Sequence, residues 1–244
     1  MANPVIRIME KENETAAVNF GQTATLAGSI RKSIGLVLLT IVAAVVAAHY
    51  LADTGLAAAG IGAGFIGGFI LAMITCFKPG IAEYTAPGYA VFEGMALGVI
   101  SMQFEQMYYG VSAIAVGITF AIMISMLLLW KTGIIAVTDK TRSTIISMTV
   151  AVALFYFVGL VASFLGVDFM PHSGIMGIAV SVIISAIAAF NLLLDFDNIE
   201  KSVANGMPRY MEYFTAFGLL LTLVWIYVEI LRLVTMVMSL FEDN

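Results

Sequence analysis

The chain has 244 residues, of which 61% are hydrophobic and only 11% charged, with a formal net charge of −5. A soluble domain carries about 25% charged residues, so this balance excludes that class and fits a membrane protein. No basic run or basic–aromatic patch points to nucleic acid, and the lone Cys76 excludes an intrachain disulfide and a zinc cluster.

The chain opens on a polar stretch with Arg7, Lys11, Arg31 and Lys32 and without the short apolar core and small-residue cleavage site of a signal peptide. Residues 1–32 are expected to form a cytoplasmic tail, 33–240 a transmembrane domain and 241–244 a short C-terminal tail. A spanning helix needs about 20 apolar residues. Seven runs meet that length: Ser33–Leu51, Ala57–Phe77, Pro87–Phe104, Val111–Trp130, Ser143–Leu165, Gly174–Leu194 and Tyr213–Met238. The first acts as an uncleaved anchor. Pro79, Pro87, Pro171 and Pro208 fall in or beside the connections, where a proline starts or ends a helix. The expected fold is an all-α, seven-helix bundle.

Orientation follows from Lys and Arg. Besides the four basic residues of the tail, Lys78, then Lys131, Lys140 and Arg142, then Lys201 and Arg209 fall in alternate connections. The intervening connections, around Asp53, Tyr108 and His172, hold none, and Arg232 lies within the last run. The N-terminus is therefore expected inside and, after seven spans, the C-terminus outside.

Small residues mark two helix faces at i, i+4 spacing: Gly60, Gly64, Gly68 and Ala72 on the second run, and Gly177, Ser181, Ser185 and Ala189 on the sixth. Such rows let helix backbones approach closely. They predict that leucine at Gly64 is not accommodated and that alanine is.

Four carboxylates, Glu93, Asp195, Asp197 and Glu229, stand within or at the ends of these runs. At bilayer depth a carboxylate costs about 2.5–3.5 kcal/mol, so it is paired, water-lined or functional. On the sixth helix Ser181, Ser185, Ala188, Asn191 and Asp195 share a face that continues to Asn198. Asp197 is about 200° away from Asp195 and points to the headgroups or to a different neighbour. On the seventh, Thr215, Gly218, Thr222, Trp225, Glu229 and Arg232 run along one side. Two facing polar stripes suggest a narrow path with Asp195 and Glu229 as its leading pair.

Plainer readings stand beside these. Glu229 and Arg232, at i, i+3, can neutralise each other. Asp195 and Asp197 can be solvated at the interface, and Glu93 can serve packing by accepting from Tyr89. The 15 methionines are read as apolar filler. Enzyme readings fail: the Gly-x-Gly-Asp of an intramembrane aspartyl protease is absent, and Gly110-Val-Ser112-Ala with His172 supplies no oxyanion hole.

The run Asn191-Leu-Leu-Leu-Asp195-Phe-Asp-Asn-Ile-Glu200, Pro208-Arg-Tyr-Met-Glu-Tyr and Trp225-Ile-Tyr-Val-Glu-Ile-Leu-Arg232 resemble bacterial Bax inhibitor-1/YccA-like proteins, of the transmembrane Bax inhibitor motif superfamily. Asn3-Pro4-Val5 and Phe92-Glu93-Gly94 look like the same branch. The resemblance implies seven helices with the last one central, in the bacterial inner membrane. It also implies a pH-sensitive calcium leak controlled by acids on the sixth and seventh helices. Those acids fall on Asp195 and on Glu229, which is one methylene longer than the Asp of calcium-leak members.

Two function classes follow. One is a passive cation pathway, calcium first, in which the two carboxylates share a proton and transiently ligate Ca²⁺ with hard oxygens. No other cofactor is expected. The other is a non-conducting regulator that binds a membrane protease or a cell-death partner through the tail, Met1 to Arg31.

Overall fold

The computed structural model describes residues 23–52, 54–167 and 174–242. Asn3–Val5, Arg7, Lys11, Asp53, Pro171, His172 and the last two residues of the C-terminal tail lie outside the described residues. Among the described residues seven long helices run in order: α1 (Leu26–Tyr50), α2 (Ala57–Phe77), α3 (Ala82–Met107), α4 (Val111–Lys131), α5 (Asp139–Phe164), α6 (Gly174–Ala204) and α7 (Met211–Glu242). The fold is all-α, as the composition and the apolar runs predicted.

Six of the seven helices are long and apolar enough to cross a membrane. The remaining one, α3, has the length but carries Glu83, Glu93 and Glu105. Its Pro87 corrects one expectation, because it sits inside the helix rather than at a boundary. The ring removes only the bond to the Glu83 carbonyl, close to the start of the helix, so α3 continues past it. Helix α1 begins at Leu26, well before the apolar run at Ser33, because Thr25 caps it by accepting from the Gly28 amide at 3.0 Å. The α3–α4 and α6–α7 connections turn at Gly110 (φ 85°) and Gly206 (φ 60°), in the left-handed region that glycine enters freely.

Helix α7 is the axle of the bundle. It packs against α1, α3, α4 and α6, and 67% of its apolar window is buried, against 17% for α2, α4 and α5. The core forms around it in two clusters, one built on Leu192, Leu223, Ile226 and Leu231, the other on Tyr89, Leu97, Phe217 and Leu220. Helix α5 is the opposite case: its main neighbour is α6, and most of its length faces outward.

Close backbone crossings hold α1, α2 and α3 together. Gly60, Gly64 and Gly68 are buried against α3, as the small-residue row predicted. A Cβ on Gly64 would lie 2.7 Å from the Phe92 carbonyl oxygen and 2.9 Å from the Ala96 amide nitrogen. These backbone atoms cannot yield as a side chain would, so alanine there is excluded along with leucine, against the expectation from spacing alone. A second crossing had passed unread: Gly94 and Gly98 meet the α1 carbonyls of Thr40 and Ala44 so closely that any Cβ would overlap them. On α6, Gly177, Ser181, Ser185 and Ala189 are all buried, as expected for a packing face.

Candidate functional site

The polar residues of α5, α6 and α7 meet along one seam. On α5, Arg142, Thr149 and Tyr156 recur every seven residues and so return to nearly the same face. Each ties the helix to the bundle at a different level. Arg142 pairs with Asp197 and donates to Asn198 Oδ1 at 3.0 Å. Asn191 donates from Nδ2 to Thr149 Oγ1 at 2.8 Å. Tyr156 donates its hydroxyl to Glu229 on α7. A helix with so little apolar packing depends on these three contacts for its position.

Asp195 lies on the α6 side of the seam. The path across to α7 is open at Gly218, whose Cβ position would be 3.5 Å from Asp195 Oδ1. The Thr222 hydroxyl, one turn further on, is within hydrogen-bonding reach of the carboxylate. Oδ2 is enclosed and has no hydrogen-bond partner, and neither has the hydroxyl of Ser185. Glu229 is buried at 3% exposure and also accepts from Ser181 Oγ at 3.3 Å.

The leading pair of the sequence reading is therefore not a contact. Asp195 sits at the level of Gly218 and Thr222, whereas Glu229 is two to three helical turns further along α7, roughly 10–16 Å in axial rise. The antiparallel course of α6 and α7 separates them, since Ser181, the α6 partner of Glu229, is far from Asp195 along the same helix. A calcium ion binds its oxygens at about 2.3–2.6 Å. The two acids cannot ligate one ion together in this arrangement, so the expected shared site of Asp195 and Glu229 is corrected to two carboxylates at separate levels of the seam. Among the described residues no three His, Cys, Asp or Glu side chains converge on a point.

The other assigned residues divide. Asp197 has a different neighbour, as helical phase allowed, but solvation is corrected: it is buried at 7% exposure and held by Arg142 and by Lys201 Nζ at 2.8 Å. Asn198 is exposed and shares the Arg142 guanidinium with it. Glu93 is buried but belongs to another interface, with Oε2 against Gly68 of α2 rather than facing α6 and α7. Its neighbour Tyr89 stacks edge-on against Phe217 at 5.0 Å. Arg232 reaches the Tyr156 hydroxyl from the same helix as Glu229, so the tyrosine receives both members of the expected ion pair. Its Nε is buried without a partner.

Two further carboxylates escaped the sequence reading. Glu212 is 3% exposed, pairs with Lys32 and accepts from both the Thr25 amide and hydroxyl at 2.9 Å, joining the starts of α1 and α7. Residues 187 positions apart leave no sequence signal for such a contact. Glu105, just beyond the third apolar run, accepts from the Gly110 amide at 2.6 Å and the Ser112 amide at 3.1 Å. Burial pushes its carboxyl up, but those two amides and the Ser112 hydroxyl outweigh this and hold it below the usual 4.5.

A family model described as Bax inhibitor 1 like matches residues 3–239 of the chain. No curated protein and no solved structure matches it.

Proposed function

The chain belongs to the Bax inhibitor 1 like family, and from that premise we propose that it is a passive, pH-sensitive leak pathway for cations, calcium first. The observation that carries this reading is Asp195 at the α6–α7 seam, whose Oδ1 faces Gly218 across the interface while its Oδ2 is enclosed and unpartnered. An ionisable group kept at bilayer depth without full satisfaction is costly, and function is the usual reason it persists. In the same reading α3 is the seventh span, the N-terminus is cytoplasmic and the membrane is the bacterial inner membrane.

Protons act at two places in this scheme. Ionised Glu229 accepts from Tyr156 and Ser181; once protonated it loses the charge that strengthens both bonds. That loosens one of the three ties that hold α5 against the seam. Protonation of Asp195 removes a negative charge that attracts the cation, so the two acids act in opposite senses, one on the gate and one on the path. Neither holds the ion tightly, and a pore must release what it binds.

The experiment is calcium flux into liposomes across pH, with wild type against Asp195→Asn. A flattened pH response in the variant supports the pathway. Equal flux and equal pH response in both would overturn it and favour the non-conducting regulator that acts through the tail, Met1 to Arg31.

A further inference from the structure

Helices α1 and α4 each pack on α7, with α3 between them, and hardly touch one another, so a groove of about 430 Å³ runs between them. Leu220 and Leu223 of α7 and Leu97 and Gly98 of α3 form its floor, on a part of α7 that the acidic seam does not use. The groove follows α1 from Val37 to Ala48, about 16 Å of helix. A bilayer's hydrocarbon core is about 30 Å thick, so this length matches the depth of one leaflet. Ile41, Val45 and Val116 border the groove and are 41%, 64% and 40% exposed, so it opens sideways to hydrocarbon. Thr40 and Thr119 spend their hydroxyl protons on the Leu36 and Ala115 carbonyls of their own helices, at 3.0 and 2.8 Å. The deep half is therefore apolar in its chemistry.

The other end, at the α3–α4 turn, is polar and carries one charge. Ser101 gives its proton to the Leu97 carbonyl at 2.6 Å and receives one from the Tyr227 hydroxyl at 2.6 Å. Glu105 closes this end and is the only charged side chain among the described residues that line the groove. Its oxygens accept from the Gly110 and Ser112 amides, but these donors are neutral and leave its negative charge in place. A carboxylate can accept about four hydrogen bonds, so room remains for a charged donor. The connections at this end of the bundle hold no Lys or Arg to supply one. We propose that the groove binds one lipid whose headgroup carries a primary ammonium, with the ammonium at Glu105 and one acyl chain laid between α1 and α4. The charge selects the headgroup, because an ammonium gives the carboxylate a charge-assisted hydrogen bond while an anionic headgroup is repelled. The apolar length selects a lipid over a soluble amine, which would leave the floor uncovered.

The test uses the full chain in an uncharged detergent at neutral pH, titrated with phosphatidylethanolamine, phosphatidylcholine, phosphatidylglycerol or soluble phosphoethanolamine. Bound lipid is counted by native mass spectrometry and thermal stability is followed in parallel. Phosphatidylethanolamine should bind one to one and about fivefold more tightly than either other lipid. Phosphatidylcholine has the same net charge but no N–H to donate, so it isolates the hydrogen bond from the charge. Glu105→Gln keeps the side chain's shape and should erase the preference while lipid still binds. Ala113→Leu, at an exposed position on the α4 wall, should narrow the groove and weaken binding of all three lipids. Its lipid-free stability should stay close to that of wild type, since leucine is a good helix former. Equal affinity for phosphatidylethanolamine and either other lipid would overturn the proposal, as would a preference that survives Glu105→Gln. So would unchanged binding by Ala113→Leu, which places the chain elsewhere, or stabilisation by phosphoethanolamine alone, which makes this a soluble-amine site.

Discussion

Tyr156 on α5 donates its hydroxyl to Glu229 on α7, and this contact links a largely outward-facing helix to the buried axle of the bundle. It also receives Arg232, so one phenol sits between a carboxylate and a guanidinium that share a helix. Tyr156→Phe should leave Glu229 short of a donor and cost on the order of 1–3 kcal/mol in stability. It should also shift the pH response of flux, since the tie of α5 on which the proposed gating rests is gone. Thermal unfolding and flux measured on the same preparation check both. A variant with lower stability and an unchanged pH response would limit Tyr156 to a structural role.

Asp195→Asn and Glu229→Gln should each alter the pH dependence of flux, and their effects should add in the double variant. Groups more than about 7–10 Å apart without shared partners behave independently, and two to three turns of α7 lie between these two. A double variant no different from either single one would mean that the acids meet in a conformation other than this one.

The spans and their direction can be read by cysteine labelling of intact cells in a Cys76-free background. Cysteine at Tyr109, which is 95% exposed at the α3–α4 turn, should react with an impermeant reagent from outside. Cysteines at Lys140 and Asn205, both exposed at the other end, should not. Outside labelling at Lys140 would refute a cytoplasmic N-terminus.

Gly64→Ala should destabilise by on the order of 1–3 kcal/mol, because its methyl meets backbone atoms of α3 at 2.7–2.9 Å. Gly62→Ala, with nothing within 4 Å, should be neutral or stabilising. Equal melting temperatures for the two would place the Gly64 face in lipid.

Glu105 gives a pH effect whose sign is fixed. Its folded carboxyl titrates below its ordinary 4.5, so its contribution is fully present above that value and is lost as pH falls through the folded one. Thermal stability of wild type should therefore drop on acidification below about 4.5, and Glu105→Gln should drop less over the same range. Parallel pH curves for the two would show that the α3–α4 turn does not depend on this charge.

The apolar runs, the two small-residue rows and the family signatures were all legible in the sequence, since each is a local pattern whose period the helix itself imposes. That is why the helices, the Gly64 interface and the polar stripes on α6 and α7 could be read from spacing. Asp195 and Glu229 were recognised as unusual by the same rule, because the cost of a carboxylate in an apolar run needs no knowledge of its neighbours. What they face was decided only by tertiary structure. The antiparallel register of α6 and α7 puts Asp195 opposite Gly218 and Glu229 opposite Ser181, and no periodicity encodes that register. Tyr156, Arg142 and Glu212 are ordinary residues at ordinary positions along their helices. They acquire roles because packing brings Glu229, Asp197 and Lys32 to them from distant parts of the chain, and such pairings depend on how helices cross rather than on what any one helix contains.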